Sequence, residues 1–562
     1  MTGSWPTDMP RHLDYPRCGA DAILAGAAHT YPDRVALRDG DLALTYAELH
    51  DQALRIAAGL RQRGIEPGDV VGLHMPNSVW FMVAYYGALC AGAAVAPINP
   101  AQPVGELRRQ LKDCAVRAVF TDPTCAANIL TAQDESADAR VLVVVPATAA
   151  GGADAKDSRL VPIADLLAAR PLTGYRVDPE LVAHLQLTGG TTGRSKAVRV
   201  LHRNLVAAVL HTACWRTAHI PALDAQGGLG LVPVPGAQTP YSLIPGASVS
   251  VAIAPLFHGL GLVSQNANTL IGATVVLSGG RFDPDRFLAD VDRHGVTYIA
   301  GSPAMYYALL QAKSLPERDL TSVRSLGSGA APLDPTAIRD LRTAFPRAQV
   351  AEGYGLSEAT MGLTMAPLSE TIEPPLGSVG VPLFDTEIQI RGEDRVSVLD
   401  KGQTGEIWAR GPQIADGYQS DPELTARQWV AGWLYTGDMG RLDESGNLYI
   451  VGRAKDMIIY KGYNVYPQPL EELVCSHPDV AQAAVVGAPS ISAGEVPVAF
   501  VVVRPGVRVD HAELGRSIME HVGAQVVPYQ RVRAVHIVEA LPTTTTGKIL
   551  KSQLRESLPG QE

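Results

Sequence analysis

Short apolar, β-branched runs alternate with longer helical patterns through most of this chain, and no other feature constrains its fold as much. LTYAELHDQALRIAAGLRQRG (44–64) spaces its apolar residues three and four apart and ends at Gly64, which predicts a helix with a natural stop. DVVGLHMP then reads as a strand, VWFMVAYYGALCAGA as a buried helix, and AVRAVFTD and ARVLVVVP as buried strands. The rhythm resumes in GATVVLSGG, DPDRFLADVDRHG, VTYIAGSP and PAMYYALLQAK. Strands alternating with helices predict an α/β fold, with parallel-type sheets covered by helix layers.

After about residue 375 the pattern changes. TEIQIRG and GEIWARG are short, alternating and Gly-bounded, as in a small antiparallel subdomain. From Arg453 a smaller α+β unit follows, so the predicted division is a large N-terminal domain, 1–452, and a small mobile C-terminal domain, 453–562. A chain of 562 residues exceeds one compact core, which agrees with such a division. Residues 216–250 read as an apolar, Pro/Gly-rich loop of unusual length.

Composition removes several classes of function. A net charge of −10 with no Lys/Arg-rich run argues against nucleic acid as a partner. The six cysteines are scattered without C-x-x-C or zinc spacing, as expected of free thiols in a reducing cytoplasm. The start lacks the apolar run of a signal peptide. Pro, Gly and Ser interrupt the longest apolar stretch, Leu229–Leu262, so no membrane span is expected and the predicted location is cytoplasmic. The sequence leaves the oligomeric state open.

The chemistry sits in the turns. LTGGTTGRSK, between a predicted strand and a predicted helix, combines exposed amides, hydroxyls and a cation, the layout of an anion-binding nest. A solvated Gly/Thr hairpin would read the same way. It is not a Walker A loop, since Lys196 precedes Ala197 and not Ser or Thr. EGYGLSE offers a ring to stack on a base, a hydroxyl for phosphate and a hard oxygen for magnesium in Tyr354, Ser357 and Glu358. It also reads as a capped turn. Asp438 beside Gly437 suits ribose hydroxyls or a β-turn equally.

Taken in order, TGGTTGRSK, PLFHGLGL, SLGSGAAPL, EGYGLSE, GEIWARGP, YTGDMGRL, GRAKDMIIYKGYNVYP and LPTTTTGKILKSQLR resemble the core motifs of the adenylate-forming superfamily, in its acyl- and aryl-CoA synthetase (4-coumarate:CoA ligase-like) branch. The resemblance runs from about residue 45 to Arg555. It implies a carboxylate attacking the α-phosphate of Mg·ATP, with the acyl group of the resulting adenylate then passing to a thiol. By motif position, Thr188, Gly190, Thr191, Thr192, Gly193 and Lys196 would grip the outer phosphates. Gly329, Ala330, Ala331, Pro332, Tyr354 and Gly355 would enclose adenine, and Ser357 would meet the α-phosphate. Glu358, with Thr191, would hold Mg2+, and Asp438 and Arg453 would hold the ribose. Lys548 matches the catalytic lysine, which explains the second TGK stretch. Lys455 falls at the hinge, Asn464 near the adenylate phosphate, and the catalytic candidate His258 near the carboxylate and thiol channel.

This chain departs from the usual TSGTTGxPKG at Gly189, Ser195 and Ala197; the expected effects are a modestly weaker phosphate grip and, at Ser195, loss of rigidity. Having His258 where peptide-synthetase domains carry Asp disfavours an α-amino acid. The expected acid pocket comprises Phe257, His258, Gly259, Ser302, Ala304, Gly327, Ser328, Gly353 and 360–362, small residues that favour an aryl or arylacrylic acid, or a medium chain. Coenzyme A is the expected acceptor. The alternatives are a carrier-protein thiol, a nitrogen acceptor, or activation of nitrite in place of a carboxylate.

Overall fold

A computed structural model describes residues 5–134, 141–146, 158–188, 195–237, 242–278, 282–329, 333, 335–367, 372, 374–504, 506–507, 509–544 and 549–558. Two large sheets dominate. One has seven strands in the order Leu160–Pro162, Leu142–Val145, Val116–Thr121, Val70–His74, Ala94–Pro97, Val182–Thr188 and Lys196–Leu201, parallel up to the final antiparallel pair. The other has nine. Its parallel centre runs Gln349–Tyr354, Ser325–Ser328, Tyr298–Gly301, Val249–Ala252, Thr274–Leu277 and Val35–Asp39. Strand interiors such as Val70–His74 and Thr274–Leu277 are fully buried, which is why they read as unbroken apolar runs.

Helices fill the space between these sheets. Val79–Cys90 and His202–Thr217 are buried on nearly every side, so neither has the one-sided apolar stripe of a surface helix. Tyr46–Gln62 follows the sequence expectation, opened by a Thr45–Glu48 capping box. A polar chain also crosses the core. Tyr85 hydroxyl meets His184 Nε2 at 2.8 Å and accepts from Asn266 Nδ2 at 2.9 Å, while Asn266 Oδ1 accepts from Tyr86.

A five-stranded antiparallel sheet follows, made by Glu387–Arg391, Gly405–Arg410, Trp429–Val430, Trp433–Leu442 and Leu448–Arg453. After the turn Ala454–Asp456 comes a second five-stranded sheet around the long pair Val480–Ser490 and Gly494–Val503, packed on helices Pro467–Cys475 and His511–Gly523.

One expectation is corrected. Residues 216–250 are not a bare loop, because His219–Leu223 and Leu229–Pro233 pair as an antiparallel ribbon. Its prolines hid it. Both strands are edges, so Pro221 and Pro233 sit where a missing N–H is tolerated. Among the described residues no helix is long and apolar enough to cross a membrane.

Candidate active site

The carboxyl ends of the strands of the nine-stranded sheet gather most of the expected residues. Strand Gln349–Tyr354 delivers Tyr354, and its hydroxyl donates to Asp438 Oδ2 at 2.7 Å. Asp438 lies opposite Arg453 in the neighbouring sheet, its Oδ1 3.3 Å from Arg453 Nε. The buried carboxylate thus holds a phenol on one oxygen and a guanidinium on the other. Burial, then the facing Asp438, push the Tyr354 hydroxyl far above its ordinary range, which keeps it a donor. Gly437 has φ +77° and nothing within 4 Å of where a Cβ would stand, leaving open space beside Asp438.

Past Tyr354 the chain turns sharply. A Cβ on Gly355 would stand 1.6 Å from Met361 O, so only glycine fits. Ser357–Ala359 form a short 3-10 turn carrying Ser357 and Glu358, and Thr360 and Met361 then take left-handed φ of 44° and 76°. Thr360 is secured by donating to Gln413 O at 2.7 Å, and Gln413 Nε2 donates to Gly362 O at 3.0 Å. Strain of this kind gathers at sites whose surroundings over-determine the backbone.

Glu358 has a partner the sequence did not announce. The Tyr418 hydroxyl donates to Glu358 Oε1 at 2.6 Å, with Gln428 Oε1 2.8 Å away, and Lys196 Nζ sits 5.5 Å from the Tyr418 ring centroid. Tyr418 therefore joins Lys196 to the turn that carries Glu358. Thr188 and Lys196 face each other across the ends of their hairpin, Thr188 Oγ1 donating to Lys196 O at 3.4 Å. Gly190, Thr191, Thr192, Gly193, Ala330, Ala331, Pro332 and Lys548 lie outside the described residues.

Ser195 does more than remove rigidity. Its hydroxyl donates to Glu106 Oε1 at 2.8 Å and accepts from Gln110 Nε2 at 3.0 Å, tying the loop's end to helix Val104–Asp113. A cavity of about 490 Å³ opens there, with Gln110, Ser195, Lys196, Tyr418 and Arg427 in its wall.

The acid-pocket candidates are spread along adjacent elements. His258 caps helix Gly259–Leu270, its Nδ1 accepting from Leu260 N at 3.3 Å, and Phe257 O accepts from Gln186 Nε2 at 3.1 Å. Ser302 stands at the N-cap position of helix Pro303–Leu310 without a side-chain capping bond, and Ala304 in that helix is exposed. Gly327 and the buried Ser328 lie on the strand beside Tyr298–Gly301, with Gly329 N donating to Gly301 O, and Gly353 lies on the next strand.

One candidate sits apart from this site and another borders it. Asn464 donates to Glu393 Oε1 at 3.2 Å, on the antiparallel subdomain and not at the Ser357–Glu358 turn. Lys455, in the turn Ala454–Asp456, has its pKa lowered by burial and then by Arg453, while Asp456 accepts from Arg555 at 2.8 Å.

A family model described as AMP-binding enzyme matches residues 24–419, and one described as AMP-binding enzyme C-terminal domain matches 469–548. The chain is 32% identical over 573 residues to a long-chain-fatty-acid–CoA ligase of Bacillus subtilis (strain 168), covering 98% of this chain and 97% of that protein. It is 32% identical over 522 residues to 4-coumarate–CoA ligase 2 of Nicotiana tabacum, covering 92% and 89%. Among solved structures it resembles the amide bond synthetase McbA of Marinactinospora thermotolerans, with TM-score 0.79, 28% identity and coverage of 96% and 99%.

Proposed function

The chain belongs to the AMP-binding enzyme family, and on that premise we propose that this adenylate-forming ligase activates an aryl, arylacrylic or medium-chain carboxylic acid and passes the acyl group to the thiol of coenzyme A. The observation that carries the reading is the continuous set Lys196–Tyr418–Glu358 and Tyr354–Asp438–Arg453 on either side of one strained turn. A nucleotide laid across that turn meets an aromatic ring and a ribose acceptor at one end, and a cation and a hard oxygen at the other.

In the first step a carboxylate oxygen of the acid bonds to the α-phosphorus of ATP, and the bond to the leaving pyrophosphate breaks. Asp438 and Arg453 hold the ribose, Tyr354 and Gly329 border the adenine, and Lys196 and Thr188 face the outer phosphates. Lys548 offsets the charge that grows on the α-phosphate oxygens. The donor set fits magnesium: Glu358 is a hard carboxylate fixed in direction by the Tyr418 hydroxyl, and Thr191 would be its neighbour in the ligand set. When bound, the metal neutralises polyphosphate charge. In the second step the thiol sulfur attacks the adenylate carbonyl, its proton leaves, and AMP departs. His258 lies at the acid's end of the site in this reading.

Incubation with Mg·ATP, coenzyme A and a panel of aryl, arylacrylic and aliphatic acids, read by mass spectrometry, tests the proposal. Acyl-CoA and AMP in equal amounts are expected. AMP or acyl-AMP without acyl-CoA points to another acceptor. The resemblance to an amide bond synthetase favours trying amines first, then a carrier-protein thiol.

A further inference from the structure

Between helix Gly259–Leu270 and strands Val249–Ala252 and Tyr298–Gly301 lies a cavity of about 20 Å³, room for roughly one water. Its lining is mostly apolar, from residues such as Val251, Ile253 and Ala300, and Ser250, Gln265 and Tyr298 bring isolated polar groups to it. It neighbours the acid-pocket candidates: Ala300 in its wall pairs in register with Gly327, and Gly261 lies two residues past Gly259 on the same helix.

Tyr298 closes that inner end. The ring is 1% exposed, and its hydroxyl reaches over the neighbouring strand to within 2.8 Å of where a Gly327 Cβ would stand. Behind it is a cation. The Arg216 guanidinium, at the end of helix His202–Thr217, lies 4.3 Å from the Tyr298 ring centroid and is 8% exposed. Among the described residues Arg216 has no carboxylate partner, and its Nε has no hydrogen bond. The side-chain oxygen of Gln265 is likewise buried and unpartnered.

Such a floor discriminates strongly. An extended alkyl tail reaching this depth would have to displace a packed phenol and leave a guanidinium and a carboxamide facing hydrocarbon, and buried polar groups without partners are costly. A compact acid whose far end carries a hydroxyl would instead meet the Tyr298 and Gln265 groups.

We propose that Tyr298, backed by Arg216, is the floor of the acid pocket and limits this enzyme to compact acids, a single ring or a short chain, ending in a hydrogen-bonding group. The proposal rests on the acid-activating reading above and specifies its substrate.

Acid-dependent exchange of pyrophosphate into ATP decides it, measured as kcat/KM for hexanoate, palmitate, benzoate and 4-hydroxybenzoate with the wild type, Tyr298→Ala and Tyr298→Phe. The wild type should favour 4-hydroxybenzoate over palmitate by about a hundredfold or more. Tyr298→Ala should narrow that gap by at least about tenfold, and Tyr298→Phe should keep the size limit while losing the preference for the hydroxylated ring. If the Ala variant fails to fold, the wild-type and Phe profiles still decide. Equal use of palmitate and 4-hydroxybenzoate by the wild type, or no preference for 4-hydroxybenzoate over benzoate, overturns the floor alone. Exchange with none of the four acids, repeated across the wider panel used for the function, overturns the acid-activating reading as well.

Discussion

Tyr354 and Asp438 lie 84 residues apart in sequence and 2.7 Å apart in space, and the same aspartate meets Arg453 at 3.3 Å. Removing Asp438 therefore does two things at once. Asp438→Ala leaves a phenol and a guanidinium without their shared acceptor and takes away the proposed ribose contact. Loss of a charged hydrogen-bond partner is worth about 1.5–3 kcal/mol, so KM for ATP should rise roughly ten- to a hundredfold. Tyr354→Phe keeps the ring and the Asp438–Arg453 pair, and should raise it only a few-fold. Equal effects from both substitutions in steady-state kinetics would show that Asp438 acts through its bond to the Tyr354 hydroxyl and not as the ribose contact.

The Tyr418–Glu358 bond predicts a metal-linked phenotype. Burial, followed by the Glu358 charge, raises the Tyr418 pKa, so the hydroxyl stays protonated and keeps donating to that carboxylate. Tyr418→Phe should release the carboxylate from its fixed direction, raising the magnesium concentration needed for half-maximal exchange by about tenfold. A magnesium titration that matches the wild type would assign Tyr418 to packing alone.

Much of the fold was legible because parallel strands buried on both faces read as apolar runs, as in Val70–His74 and Thr274–Leu277. The residues of the candidate site were picked from short motifs, Tyr354 and Glu358 from one turn and Asp438 from another. The bonds between those motifs were not legible. Tyr418 reaches Glu358 across 60 residues, and Ser195 reaches Glu106 across 89, through pairings that depend on how sheets and helices dock. Tyr298 was hidden in the same way. Its strand reads as an ordinary buried one, and only the glycine beside it on the next strand gives it room to close a pocket.

Ser195 yields a prediction opposite to the sequence expectation. Proline at this position should rigidify the loop, yet here the side chain anchors it through Glu106 and Gln110. Ser195→Pro removes the hydroxyl between those two groups and leaves the buried Gln110 amide with one partner fewer. Stability should fall by about 1–3 kcal/mol, and KM for ATP should rise. A higher Tm in differential scanning fluorimetry would show that loop entropy outweighs the anchor.

Glu352 makes stability depend on pH. Burial, opposed by a hydrogen bond from Leu333 N and reinforced by Glu472, lifts its pKa from the ordinary 4.5 to about 7. Between those values the unfolded chain has released the proton while the folded chain keeps it. The folded state thus binds more protons, and stability falls as pH rises through this window and stays lower above it. Glu352→Gln keeps an acceptor for Leu333 and removes the titration. Its Tm advantage over the wild type should grow from pH 4.5 to about 7 and then level off. A constant advantage across that range would mean the carboxyl titrates normally.

Lys548, in LPTTTTGK, separates the two half-reactions. If it acts on the α-phosphate, Lys548→Ala should lower adenylate formation by about a thousandfold or more, the scale of losing one transition-state charge contact. Transfer of the acyl group from preformed acyl-AMP to coenzyme A should remain within a few-fold of wild type. The Asn464–Glu393 contact predicts the converse. This bond ties the hairpin Ile458–Val465 to the antiparallel subdomain, so any rearrangement of the hairpin between the two half-reactions has to break it. Glu393→Ala should leave adenylation unchanged and alter the transfer rate in rapid-quench measurements. Parallel losses in both half-reactions for both variants would remove the division of labour between Lys548 and the hairpin, because a single arrangement of the domains would then serve both steps.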